Sequence, residues 1–468
     1  MQATRFTPLN AAKLTLGASL AASALITACG GGSSDTFSIP FTDAALALPA
    51  ATAPVATRSP AGTSEYQRHL DAATANAAGT EFAADQRRQW CYSVENPGAP
   101  PELSNTTPVA MTKMFDNLYF TGRRWVGQYV LTTPNGYFLL DALNSTDDAK
   151  NLTVPGLVSA GLNPATVKGI MPTHGHGDHY NGAKYLQDTY GAPVYIGSED
   201  AAALTAANTR NAAAFAGSIV TTSLPNSVTT PQTLKVDGIS LTLLSTPGHT
   251  VGTFSGILPV QQNGKSYKMI FWGGTGTPAT LPLSQAYLDG TERLYQLARS
   301  ENVDGTIHTH PFVDGSLAKL DAINQGSTGG KNPFLIGNAN TLRSLSILRE
   351  CSAAKVNSFD ATLVTPTWLT TRTELVASRK LSPNGANANV AGLVRVTDPY
   401  GPVANATVKL TLAGASESCS ATTDANGVAS CAFLTTQTAA GAAVTAQFTG
   451  SSSSTQVELA SSASVTPN

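Results

Sequence analysis

The sequence is poor in charge. Asp, Glu, Lys and Arg make up 12% of its 468 residues, and the signs nearly cancel at 28 basic against 30 acidic side chains. Without a basic excess to neutralise a phosphate backbone, nucleic acid is excluded as a partner class. Cysteine is scarce too. Five occur, none in a Cys-x-x-Cys or Cys–His spacing, so thiolate metal sites and thioredoxin-like chemistry are not expected. The Gly-x-Ser-x-Gly elbow of serine hydrolases is absent. Beyond residue 28 no apolar run is long enough to span a bilayer. Histidine is rare, and all seven except His69 fall in three short motifs.

What is present begins with the N-terminus. Arg5 and Lys13 precede an apolar run, Leu14 to Ala28, that is short for a membrane span and closes as Leu25-Ile26-Thr27-Ala28-Cys29. This resembles a bacterial lipoprotein signal, which implies cleavage after residue 28 and lipidation of Cys29. The chain is then expected at the bacterial cell envelope, periplasmic or surface-facing, with the membrane as a partner through the lipid. The Gly-Gly-Gly-Ser-Ser that follows, and the Ala-, Thr-, Ser- and Pro-rich stretch behind it, read as a flexible tether over 29–62. In an oxidising compartment the other four cysteines are expected to pair. Cys419 and Cys431 flank the turn Asp424-Ala425-Asn426-Gly427 and would face each other across a hairpin, leaving Cys91 to pair with Cys351.

The apolar fraction of 42% is ample for a core, and the length calls for two or three units. Gly79 separates two short helical stretches within 63–91. From 110 to 360 apolar strands alternate with helices: strands Tyr137–Leu140, Ile239–Ser245 and Met269–Trp272, helices near Gly182–Thr189, Leu283–Ser300 and Ala339–Ala354. That alternation predicts an α/β sandwich over 63–380. Around Leu381-Ser382-Pro383-Asn384-Gly385 the pattern turns to short alternating strands, such as Val390–Val396, Ala406–Leu412 and Val444–Phe448, which predict an all-β sandwich over 381–468.

The sharpest motif is Thr173-His174-Gly175-His176-Gly177-Asp178-His179. Its glycines allow a tight loop, so the side chains of 174, 176, 178 and 179 can converge. Neutral imidazole and carboxylate suit zinc, and gathering so many polar groups without a cation would be costly. Thr246-Pro247-Gly248-His249-Thr250 and Ile307-His308-Thr309-His310-Pro311 each follow an apolar strand, where a rigid sheet can present ligands.

The H-x-H-x-D-H, P-G-H-T and late His-Pro motifs, in this order, resemble the metallo-β-lactamase superfamily over roughly 110–320. The resemblance implies a four-layer αββα sandwich and two Zn2+ per chain. His174, His176 and His249 would hold one ion; Asp178, His179 and His310 would hold the other. Asp141, at the end of its strand, would brace the His-rich loop, with Thr275 and His308 also beside the ligands. Where many relatives place a bridging Asp, this chain has Gly273-Gly274-Thr275-Gly276. That departure is similar to the lactamase subclass with His-His-His and Asp-His-His sites. The implied activity is zinc-dependent hydrolysis by activated water, oriented by Asp178 as the catalytic residue. The implied substrate is a small molecule with a cyclic amide bond. A lactonase or ester hydrolase on the same fold, an iron-dependent oxygenase and a non-catalytic surface protein are the alternatives. The segment PVANATVKLTL…CSATTDANGVASC resembles bacterial immunoglobulin-like modules. His69 is expected to be structural, Asp304 and Asp314 solvated, and Tyr180 and Trp272 near the pocket.

Overall fold

The computed structural model describes residues 54–96, 98–202, 221–381, 388–436 and 441–466. The lipidation expectation at Cys29 and most of the tether lie outside these residues. Seven strands form the first sheet in sequence order: β1 (Pro108–Phe115), β2 (Leu118–Arg123), β3 (Gly127–Thr133), β4 (Gly136–Leu140), β5 (Val167–Met171), β6 (Val194–Gly197) and β7 (Thr221–Leu224). The β1–β4 pairs are antiparallel and the β4–β7 pairs parallel. The second sheet has the order β12-β11-β10-β9-β8, built from β8 (Gln232–Val236), β9 (Ile239–Ser245), β10 (Phe254–Gln262), β11 (Lys265–Phe271) and β12 (Gly305–Ile307).

Alternation along the strands sorts their side chains into three apolar layers. In β4, Phe138 and Leu140 point into the core between the sheets, where they meet Phe254, Leu258, Met269 and Phe271. Tyr137 and Leu139 point the other way, against Ala183 and Leu186 of the helix Ala183–Tyr190. On the second sheet Ile257 and Ile270 face outward onto the helices Glu65–Ala77, Leu281–Ser300 and Asn338–Phe359. Helix, sheet, sheet, helix: this is the expected αββα sandwich. The two N-terminal helices start where sequence chemistry allows, on Ser64 and Thr80 hydroxyls that accept the N–H groups of Gln67 and Ala83. Cys91 and Cys351 form a disulfide that ties the end of Glu81–Trp90 to Asn338–Phe359.

The C-terminal region is all-β, with two sheets closing over Val390, Val394, Leu410, Val444 and Phe448. Three expectations are corrected here. The strand Arg372–Leu381 pairs with Ala388–Asp398, so this unit already includes Arg372 rather than starting at 381. The disulfide Cys419–Cys431 does not cross a hairpin: Ser418–Thr422 pairs with Thr407–Leu412 while Val428–Thr435 pairs with Ala388–Asp398, so the bond joins the two sheets. The end of the tether is anchored, since Val55 and Ala56 donate to the Pro399 carbonyl and Arg58 pairs with Asp398 at 2.9 Å. The C-terminal unit is docked on the first. Thr367–Leu369 pairs with Gln456–Glu458, and Trp368 and Leu459 enter the apolar cluster behind the second sheet.

Candidate metal centre

Every candidate ligand sits just past the C-terminal end of a strand. The loop after β5 carries His174 to His179, the loop after β9 carries His249, and the loop after β12 carries His310. The loops converge into two groups: His174, His176 and His249, and Asp178, His179 and His310. Within each group the available ligand atoms all lie within 4.8 Å of one another.

Hydrogen bonds on the outer ring nitrogens set the orientation of the inner ones. His310 Nδ1 lies 2.6 Å from the Trp125 carbonyl and His249 Nδ1 lies 2.8 Å from the Gly276 carbonyl. A carbonyl only accepts, so each Nδ1 donates and each neutral ring turns an Nε2 lone pair inward. His179 Nδ1 donates to Asp141 Oδ2 at 2.6 Å. Its Nε2 then faces His310 Nε2 at 3.2 Å and Asp178 Oδ2 at 3.2 Å, and His310 Nε2 lies 3.4 Å from the same oxygen. Three ligand-type atoms in contact need a proton or a cation among them, and in the metal-free protein a proton on His179 Nε2 fills the place a cation would take. The donor set, two imidazoles with a carboxylate beside three imidazoles, is one that zinc accepts. The residues therefore fit the implied metal.

Electrostatics express the same demand. Burial presses the His179 imidazole down, but the Asp141 and Asp178 carboxylates outweigh it and lift it to about 10. Burial, reinforced by neighbouring imidazoles, holds His249 at about 3 and His310 at about 4. Burial pushes Asp178 up, yet His179 and His310 overcome this and keep it well below the ordinary carboxylate range. Asp178 is therefore an acceptor throughout the neutral range.

Asp141 is fully buried with φ at +67°, a left-handed backbone that Asp tolerates better than most residues. Its Oδ1 accepts the Thr173 N–H at 2.6 Å, so one carboxylate holds both the start of the His-rich loop and the His179 ring. His308 belongs to neither group. Its Nδ1 accepts the His310 N–H at 2.8 Å and its ring packs on Trp90. Thr275 lies on the cavity wall. A Cβ at Gly274 would meet the His249 ring at 2.5 Å, so the loop after β11 packs directly against that ligand.

A cavity of about 450 Å³ opens over both groups, reaching His176, Asp178, His249 and His310, with Ser93, Leu103, Trp125, Asn144 and Phe312 among its walls. Ser93 comes from the segment just past Cys91 and is pinned to the loop after β11, its hydroxyl accepting the Thr277 N–H at 3.3 Å. Several expectations fail at this point. Tyr180 and Trp272 are buried and do not line the cavity; Trp272 donates to the Tyr287 hydroxyl at 2.9 Å. Asp314 is 1% exposed rather than solvated, because the turn after His310 folds inward; Asp304 is half-buried and accepts the Lys268 N–H. His69 is structural, buried against Glu350 at 2.7 Å. The carbonyls of Trp125 and Gly276 escaped sequence reasoning because any residue supplies one. Asp200 escaped it as well, although an acidic residue shortly after strand β6 parallels Asp141 after β4.

An αββα sandwich with two clustered ligand groups at its strand ends defines a candidate binuclear metallohydrolase centre. Residues 127–262 match the family described as Metallo-beta-lactamase superfamily; the matched segment holds the first two motifs, and His310 lies beyond it. Among solved structures, the chain is similar to BJP-1, a subclass B3 metallo-beta-lactamase of Bradyrhizobium japonicum. The identity is 22%, covering 55% of this chain and 94% of that one, with a TM-score of 0.43. It is also similar to FEZ-1 from Legionella gormanii, at 19% identity over 54% and 95% with a TM-score of 0.42. A Cronobacter sakazakii metallo-beta-lactamase matches at 22% over 52% and 93%, with a TM-score of 0.43. No curated protein matches the chain.

Proposed function

We propose that this protein is a two-zinc hydrolase acting on a cyclic amide bond in a small molecule. The carrying observation is the convergence of two ligand groups whose His249, His310 and His179 rings turn their Nε2 atoms inward, each fixed by an acceptor on the outer nitrogen. His174, His176 and His249 would hold one cation; Asp178, His179 and His310 would hold the other. Zinc held there would supply Lewis acidity, activating water and offsetting developing negative charge. The chain's own residues orient and exclude. Asp178 stays ionised and borders the cavity, placed to accept a hydrogen bond that orients the attacking water. Trp125, Leu103 and Phe312 give the cavity apolar walls that displace bulk water around the reacting bond.

One observation favours a second reading, hydrolysis of a neutral lactone or ester. Among the described residues lining the cavity there is no lysine or arginine to take a substrate carboxylate. The test is a panel of β-lactams, lactones and esters assayed with the zinc-loaded protein, with His176→Ala as blank. Turnover of β-lactams lost in the blank supports the first reading, and turnover of lactones alone supports the second. Equal turnover by the blank overturns both.

The enzyme is further proposed to work outside the cytoplasm, tethered to the cell envelope through lipidated Cys29, with the C-terminal immunoglobulin-like module docked beside it. Two disulfides support export. Mass spectrometry of the mature N-terminus tests this; an intact, unlipidated residue 29 contradicts it.

A further inference from the structure

Asp200 stands outside every metal motif. It lies just past the end of β6 and is 2% exposed. Its Oδ2 accepts the Gly175 N–H at 2.7 Å and the Thr250 hydroxyl at 2.7 Å, and its Oδ1 accepts the Gly252 N–H at 2.9 Å. Gly175 is the residue between His174 and His176; Thr250 and Gly252 follow His249. One carboxylate thus ties together the two backbone segments that present the whole first group. It lies flat on them. A Cβ at Gly252 would meet the Asp200 Cγ at 2.4 Å, and one at Gly175 would meet it at 3.0 Å, so both positions are glycine where the carboxylate closes in.

The second group has its own buried aspartate. Asp141 binds the Thr173 N–H and the His179 ring. None of the hydrogen bonds of Asp141 reaches the 249 loop, and none of those of Asp200 reaches His179 or His310. Asp141 also accepts the Thr173 hydroxyl at 3.3 Å, and that hydroxyl lies 3.1 Å from His174 Nδ1, so Asp141 reaches both groups while Asp200 reaches only the first.

We propose that Asp200 is a positioning residue that sets the cation affinity of the His174–His176–His249 group alone. This rests on the reading of the site as two cation sites. The physical reason is acceptor geometry. Three donors converge on two carboxylate oxygens, and each charge-assisted bond is stronger than a neutral one. An asparagine keeps the shape but turns an NH2 toward at least one donor, so a buried N–H or hydroxyl loses its partner and the two loops drift apart.

The test uses full-length protein and competition for Zn2+ against a chelator. In a His310→Ala background the remaining zinc equivalent reports the first group. Adding Asp200→Asn should weaken its Kd by about ten- to hundredfold, the usual effect of losing a residue that braces metal ligands. In a His249→Ala background the remaining equivalent reports the second group. There the same substitution should leave the Kd within about twofold, which also shows that the protein is folded. Asp141→Asn, which touches Thr173 beside His174 as well as His179, should weaken the Kd in both backgrounds. Equal weakening by Asp200→Asn in both backgrounds, or none in the first, overturns the assignment. If neither single-histidine variant binds zinc at all, it is the two-cation reading itself that fails.

Discussion

Two β-sandwiches stand in this chain, and they use the ends and the middle of their sheets differently. In the C-terminal unit the sheets close over an apolar core stapled by Cys419–Cys431, and among its described residues no group of histidines or carboxylates could hold a metal. In the αββα unit the middle is equally apolar, but the strand ends hold six clustered ligand side chains. Chemistry is thus placed where backbone loops can bend, on a frame that packing keeps rigid. The cost of burying those polar groups is partly offset by hydrogen bonds that they and the loop backbone donate to Asp141 and to main-chain carbonyls.

The strongest way to break this contrast is to remove one ligand from each group. His249→Ala and His310→Ala should each lose one zinc equivalent, read by metal analysis, and lower turnover of whichever panel substrate is active by more than about a hundredfold. Lys409→Ala in the C-terminal sandwich should change neither. Loss of activity in the lysine variant as well would erase the distinction.

The disulfides sharpen it next. Cys91 and Cys351 are 260 residues apart in sequence, Cys419 and Cys431 only 12. On the chain-entropy account a longer closed loop restrains the unfolded chain more, so replacing the first pair by alanine should cost roughly 5 kcal/mol and the second about 3 kcal/mol. Chemical denaturation of the two double variants measures this; the reverse order would contradict it.

The smallest effect concerns pH. Burial raises the Asp314 carboxyl to about 6, above its ordinary 3.8, and its Oδ2 has no hydrogen-bond partner. Its stabilising contribution is therefore complete below about pH 4 and lost as pH rises through about 6. Asp314→Asn should exceed the parent protein by about 3 kcal/mol near pH 7 and come close to it near pH 4. Asp398 of the sandwich is also raised by burial, but Arg58 partly offsets the effect, so Asp398→Asn should shift less. A constant difference for Asp314→Asn across pH 4 to 7, in denaturant melts, would refute the assignment.

Much of the αββα unit was legible in the sequence, because apolar periodicity separates strand from helix over long stretches. Strand Ile239–Ser245 has the predicted bounds, and the helix expected at Leu283–Ser300 begins two residues earlier, at Leu281. The metal groups were legible for a different reason: a run of four ligand-type residues in six positions has little other use. What sequence hides is anything carried by the backbone or by tertiary placement. The acceptors for His249 and His310 are main-chain carbonyls, and the inter-sheet path of Cys419–Cys431 depends on which strand each neighbour pairs with. Asp200 and Asp314 each look like an ordinary acidic residue until the fold buries them.

The most direct test is anomalous X-ray diffraction at the zinc edge from crystals of the full chain purified with zinc. The account predicts two peaks per chain, one at about 2 Å from nitrogens of His174, His176 and His249, the other equally close to Asp178, His179 and His310. A zinc-replete protein with no peak at these side chains would contradict it.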